Sequence, residues 1–410
     1  MLFTALRLAI TRQIISKFGI IIENRMNTTN IHTMNELDPE KQQKAKEYAR
    51  IHRRLFLIEL GWDGIYALLW LFLGWSLQVK NMLAAWNSHD WLLVAGFAVV
   101  FGGIQSVLSL PLSYYSDFIL PHRYELSTQT FKDWVYDNLK GLAIGAPIGL
   151  ILLEIVYGIL RTFPDTWWLW AAGVMLVFSV LLTNLAPILI MPLFNKYVPL
   201  GDEHADLETR LLNLAEKTGT SVRGVYKFDM SRRTKTANAA LTGIGNSRRI
   251  ILGDTLINEF TPDEIETVLA HELGHQVNHD IPYGIFVGTI TTLLGFYMAA
   301  LGLRWGITVF GFEGVADPAG MPLFGIILGL YGLITMPLSN AFSRWRERRA
   351  DRYALEVTGK GEAYAAALTR LANQNLAEVD PEPLVEFLLH SHPALGKRIA
   401  FAKSYQESIS

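Results

Sequence analysis

The sequence predicts a mainly α protein, a multi-pass transmembrane helical bundle that carries a small α+β lobe. Half of the 410 residues are hydrophobic and only 18% are charged. The 11 tryptophans and 21 phenylalanines arrive in long apolar runs, whereas a soluble chain of this size disperses them with helical or strand periodicity. Between and after those runs lies polar sequence with the strand and turn signals of a folded lobe. The formal net charge of -2 argues against a nucleic-acid partner. With no cysteine in the chain there are no disulfides and no thiolate ligands, so a metal would have to be held by His and carboxylate.

Residues 1–22, MLFTALRLAITRQIISKFGIII, are apolar but interrupted by Arg7, Arg12 and Lys17, with no acidic residue before Glu23. They read as an amphipathic interfacial helix, a presequence-like leader or a poor span, and translation starting at Met26 or Met34 is a further alternative. A charged helix follows over 35–54 and ends in the basic run Arg50, His52, Arg53 and Arg54. Six stretches then have the length and apolarity of membrane spans: 55–77, 91–113, 142–161, 167–194, 281–303 and 322–341. If the segment before residue 55 is cytoplasmic, the loops 78–90, 162–166 and 304–321 are external and hold or border only Lys80, Arg161 and Arg304. The basic clusters at 41–54, 120–140, 195–250 and 343–370 all fall on the opposite side, which places the polar lobe in the cytoplasm. Glu59, Asp63 and Glu154 are ionisable groups at membrane depth; such residues face a bundle interior or a wet cavity, or sit near an interface, as suits Glu59.

In the lobe, a helix is expected over about 203–218, then strands over Arg223–Met230, Ala237–Leu241 and Arg249–Leu256, separated by Gly243, Gly245 and Asn246-Ser247. Residues 261–280 read as a single helix: Thr261 suits the N-cap, Pro262 the first helical position, and Glu264 completes capping-box spacing. Within it stands His271-Glu272-Leu273-Gly274-His275, an H-E-x-x-H. Histidines four apart on a helix project from one face, so both imidazoles reach one metal ion while the adjacent Glu272 can act as a base on water. The alternative is a surface helix with two solvated histidines.

A third ligand is sought on the helix that continues the sixth span and ends near Gly359, where Asn340, Glu347 and Asp351 share a face. Glu347 is the candidate third ligand, and Asp351, one turn on, can accept the second N–H of a liganding histidine. The competing reading pairs Glu347 and Asp351 with Arg344, Arg348 and Arg352 on a solvated helix.

With H-E-L-G-H and the later Glu347-Arg-Arg-Ala350-Asp351, the chain resembles the type I CAAX prenyl proteases, a family of integral-membrane zinc metalloproteases. Similar stretches are LPLSYYSDFILPHRYELSTQTFKDW (110–134), TANAALTGIG (236–245) and SHPALGKRI (391–399), and the resemblance runs from about residue 40 to the end. It implies one zinc ion held by His271, His275 and Glu347, Glu272 as general base and acid, and Asp351 as partner of a ligand histidine. It further implies His392 near the metal as oxyanion donor and Arg398 in support of the site. Asn238 and Ala239 would lie on an edge strand that pairs with an extended peptide substrate. The family has seven spans where six are found here; the missing one is the first.

The resulting expectation is a membrane-embedded zinc metalloendopeptidase with a zincin-like lobe, acting at the lipid bilayer on peptide or protein substrates, with prenylated ones implied by the resemblance. It divides into a basic segment (1–54), a four-span bundle (55–194), the lobe with the H-E-x-x-H helix (195–280), two further spans (281–341) and a C-terminal helical part of the lobe (342–410). The lobe would face the cytoplasm from the cytoplasmic membrane of a prokaryote or the endoplasmic reticulum membrane of a eukaryote. Alternative readings are a membrane quality-control zinc protease turning over misfolded proteins, and a channel or transporter with a structural zinc. A site-2-type intramembrane protease is disfavoured because Glu264, Glu266 and Asp280 flank the motif.

Overall fold

The computed structural model describes residues 36–243 and 248–409, with backbone alone at 187 and 188. Segment 1–22, Met26, Met34, Gly245 and Asn246-Ser247 lie outside these residues. Among the described residues, six helices are long and apolar enough to cross a membrane. The charged stretch and the first span form one helix, α1 (Pro39–Phe72), whose first turn is capped by Asp38. It stops at Phe72 rather than 77 because Gly74 takes a left-handed conformation, φ 69°, at which the chain turns back. Helix α2 (Trp75–Trp86) occupies most of what the sequence suggests is a loop over 78–90. At 12 residues it is about 18 Å long, too short to span. It packs on residues 311–320, where the buried Lys80 ammonium pairs with Glu313 and, at 3.7 Å, with Asp317.

Helix α3 (Asp90–Tyr114) runs on through a π turn (Tyr115–Ile119) beyond Pro111 to Arg123. Thr130 caps α4 (Phe131–Thr162), and α5 (Trp167–Leu185) gives way to a second π turn at Ala186–Ile190, so the fourth span is shorter than expected. Then come β1 (Tyr197–Pro199), α6 (Ala205–Lys217), β2 (Val225–Phe228), β3 (Ala239–Thr242), β4 (Arg249–Gly253), α7 (Asp254–Glu259) and α8 (Pro262–Val277). Two spans follow, α9 (Asp280–Phe310) and α10 (Met321–Thr358), and then α11 (Gly361–Gln374), α12 (Pro383–Leu389) and α13 (Leu395–Ile409).

Spans and lobe have separate cores. In the bundle, fully buried Trp167 packs against Phe296 and Phe324, while Ile334 (75% exposed) and Leu338 (71%) of α10 belong to an outward apolar girdle that only lipid would cover. Asp63 turns inward and accepts a hydrogen bond from Gln105 of α3, and both oxygens of Glu154 are out of reach of solvent; Glu59 is half-buried. In the lobe the strand order is β1-β2-β4-β3, antiparallel except for β2–β4. Alternation of the sheet's side chains sends Val225, Ile250 and Leu252 to one face, where Leu211 of α6 and Leu269 and Leu273 of α8 cover them. The β4 strand is shorter than 249–256 because Asp254 opens α7, and β1 carried no strand signal in the sequence.

Candidate metal centre

Helix α8 begins as its sequence requires: the Thr261 hydroxyl accepts the Glu264 N–H and the Glu264 carboxylate accepts the Thr261 N–H. It does not run to residue 280. It stops at Val277, and a turn through Asn278 and His279, the latter at φ 56°, starts α9 at Asp280. Gly274 is where α8 crosses α10. A Cβ there would stand 3.0 Å from the Cα of Ala350, so the bare glycine lets the two helices approach. That approach brings Glu347, one turn before Ala350, level with the histidines.

The Nε2 atoms of His271 and His275 lie 3.3 and 3.5 Å from the two oxygens of Glu347. Tetrahedral bonds of 2.0–2.1 Å would set neighbouring donors about 3.3 Å apart. One suitable donor atom from each of the three residues lies within 4.8 Å of the other two. Glu347 Oε2 is buried without a hydrogen-bond partner among the described residues, as an oxygen awaiting a cation would be. Two imidazoles and a carboxylate, with no thiolate, are donors of the zinc type. The residues present therefore fit such an ion.

Each histidine turns its other nitrogen to a buried carboxylate. His271 Nδ1 is 2.9 Å from Asp351 Oδ1, and His275 Nδ1 is 2.7 Å from Asp280 Oδ2. Asp351 is held in turn by Arg398, which donates from Nε (2.9 Å) and Nη2 (2.6 Å), and by the Tyr364 hydroxyl at 2.5 Å. Burial pushes the His271 imidazole down, but the carboxylates of Asp351 and Glu347 outweigh it and lift the ring to about 9. Metal binding to that pocket would displace a proton. Burial also raises Tyr364 well above its ordinary range, so its hydroxyl stays a donor to Asp351.

His392 Nε2 lies 3.3 Å from Glu347 Oε1, and its Nδ1 is 3.0 Å from the Ser391 hydroxyl. A carboxylate only accepts, so the approach to Glu347 favours the tautomer with the hydrogen on Nε2, in which Nδ1 can accept from Ser391. The segment bearing His392 is clasped from below. Arg344 Nη1 donates to the carbonyls of Glu386 (2.9 Å) and His390 (2.6 Å), and Asn340 donates to that of Leu388 at 2.7 Å. Arg344 is thus spent on the C-terminal carbonyls of α12, not on Glu347 or Asp351 as the solvated-helix reading supposed. Glu272 is half-buried and makes no hydrogen bond to the described residues. Ala239 begins β3, at the edge of the sheet, and Asn238 immediately precedes it; the Asn238 carbonyl accepts the Gly253 N–H at 2.9 Å while its side-chain Nδ2 is buried without an acceptor among the described residues.

Residues 202–406 match the model of peptidase family M48. An uncharacterized metalloprotease of Bacillus subtilis, YhfN, is 31% identical over 376 residues, covering 91% of this chain and 88% of its own length. The chain belongs to peptidase family M48. This M48 zinc metallopeptidase also matches, over residues 25–196, a model described as the CAAX prenyl protease N-terminal region with five membrane helices. The CAAX prenyl protease 1 of Saccharomyces cerevisiae is 33% identical over 322 residues, 74% of this chain and 70% of its own. The crystal structure of Ste24p from S. mikatae superimposes with a TM-score of 0.78 at 26% identity, covering 98% of this chain and 97% of that one. The peptidase is accordingly a multi-pass integral membrane protein with a Ste24p-like fold. Asp280, Tyr364 and Ser391 were not singled out from the sequence. No local period in the sequence links any of the three to the histidines of the motif.

Proposed function

We propose that this M48 peptidase hydrolyses peptide bonds near the membrane surface, with the C-termini of prenylated CAAX proteins as its substrate class. The observation that carries this is that α10, which bears Glu347, is one continuous helix with the sixth span, while α8 passes into the fifth after a two-residue turn. A site built into the ends of two spans favours substrates tethered to the bilayer, and a lipidated C-terminus supplies the tether. The relatives named as CAAX prenyl proteases point the same way. The distribution of basic residues supports a cytoplasmic lobe.

His271, His275 and Glu347 would hold the ion, whose chemistry when bound is Lewis acidity toward a water and the scissile carbonyl. The peptide lies extended along the outer edge of β3, pairing with its backbone, and Asn238 Nδ2 donates to it. Glu272, with no hydrogen bond to the described residues, accepts the proton of the attacking water and returns it to the leaving amine. His392 Nε2–H donates to the developing oxyanion. Asp351 and Arg398 keep the His271 ring oriented.

Zinc content and hydrolysis measured on one purified sample, with a farnesylated CAAX peptide and its unprenylated twin, test the proposal. Cleavage of the lipidated peptide alone is expected. Equal cleavage of both would favour the broader membrane quality-control protease, and bound zinc with no cleavage of either would favour a structural role for the metal.

A further inference from the structure

The two histidines are not served alike. Asp351 faces His271 with its charge already matched by Arg398. Asp280, whose side chain is only 4% exposed, faces His275 with no lysine or arginine paired to its carboxylate, and its second oxygen, Oδ1, is buried without a hydrogen bond among the described residues. The guanidinium of Arg346 donates to the Asp280 backbone carbonyl (3.0 Å), not to its carboxylate. With both rings neutral, as metal ligands are, the three buried carboxylates of Glu347, Asp351 and Asp280 against the one guanidinium of Arg398 leave two negative charges, the complement of a divalent cation. Buried charge of this size is costly unless matched. Glu272, half-buried and without a hydrogen bond to the described residues, is not counted among these carboxylates.

The placement of Asp280 is itself built. Its reach back to His275 depends on the left-handed turn at His279, and that turn is held to α10 by Arg349, which donates to the Asn278 side chain (2.8 Å), and by the Arg346 contact. We propose that Asp280, the first residue of a membrane helix, is a positioning residue for the metal site: it fixes the His275 ring with Nε2 inward and supplies the negative charge that matches the site to a divalent ion. The proposal rests on His275 being a ligand. A role confined to the acidic start of α9, favourable for any helix, would leave metal affinity untouched.

The test is zinc affinity, read by chelator competition on the full-length protein in detergent, in a cycle of Asp280→Asn, His275→Ala and the double variant. Asp280→Asn keeps the shape and one acceptor but removes the charge; a loss of about 10–100-fold is expected. In the His275→Ala background the same change should cost clearly less, because only the through-space effect of the charge and no ring orientation is then left to lose. Unchanged affinity in Asp280→Asn, or an equal loss in both backgrounds, overturns the proposal, and full affinity in His275→Ala overturns it together with the ligand assignment. The visible absorption of the cobalt-loaded protein reads the ligand field of the folded, metal-bound fraction alone, so poor folding of a variant does not hide the answer. Asp280→Asn should shift that spectrum, and an identical spectrum refutes the role. Neither readout involves substrate, so an error in the proposed substrate class leaves this test intact.

Discussion

Gly274→Ala probes the contact on which the whole centre depends. The added Cβ would meet the Cα of Ala350 at 3.0 Å, its carbonyl oxygen at 3.2 Å and its Cβ at 3.3 Å. Carbon atoms are comfortable at about 3.5–4.0 Å, and two of the three atoms are backbone and cannot rotate away, so α8 and α10 must separate by about half an ångström. Overpacking of this kind costs about 1–3 kcal/mol. Alanine returns about 0.8–1 kcal/mol over glycine in a helix interior, leaving a net loss of about 0–2 kcal/mol in stability. Activity should fall further than stability does, because the crossing sets the spacing between the histidines on α8 and Glu347 on α10. A misplacement of 1 Å costs about 10²-fold, so half that distance should lower kcat about 10-fold. The assay combines thermal unfolding, kcat on a peptide substrate and zinc per chain. Ala350→Gly in the same protein removes one of the three contacts and should restore part of the loss. Full activity with raised stability, the outcome of helix propensity alone, would refute the reasoning.

Three further outcomes are expected. Glu272→Gln should lower cleavage by about 10²–10⁴-fold with zinc retained; loss of zinc along with activity would mean that Glu272 has another role. His392→Ala should lower kcat by about 10²–10³-fold with KM little changed, and a change in KM alone would argue against an oxyanion donor. Burial pushes the Glu386 carboxyl up, but Lys397 Nζ at 2.5 Å and the Ala394 N–H at 3.0 Å pull it below the ordinary glutamate range. A carboxyl depressed on folding stabilises above its unfolded pKa and ceases to as the pH falls through the folded value. Limited proteolysis near residue 390 should therefore rise in acid, and Glu386→Gln should show the same susceptibility at every pH; a wild-type protein indifferent to acid would contradict this.

The spans were legible because the bilayer demands about 20 apolar residues in a row, a pattern no other constraint overrides. Their ends were not. Gly74 stops α1 five residues early, and α2 reads as loop because a 12-residue helix propped on a buried lysine has no bilayer-length signal. In the site, His271, His275, Glu347 and Asp351 lie at helical spacings on two helices, so their shared faces could be read directly. Asp280 could not. In an unbroken helix it would point about 140° away from His275, and only the turn at His279 brings it back. Tyr364 lies 93 positions from His271, and no local period links them.

The break that hid Asp280 also bears on how membrane and metal are joined. Of the three candidate donors, Glu347 rides on a helix that runs on from the sixth span past Pro337 to the site without a turn between them. The two histidines ride on α8, which is decoupled from the fifth span by the turn at 278–279 and recoupled through side chains: Asp280 to His275, Arg349 to Asn278, and Arg346 to the Asp280 carbonyl. Both arginines stand on α10 itself. The helix of the sixth span thus grips the junction of α8 with α9 as well as carrying Glu347, and the crossing at Gly274 and Ala350 adjoins these attachments. Movements of α10 would then carry the histidines with the carboxylate instead of pulling them apart, which is what a metal site at a deformable lipid surface requires.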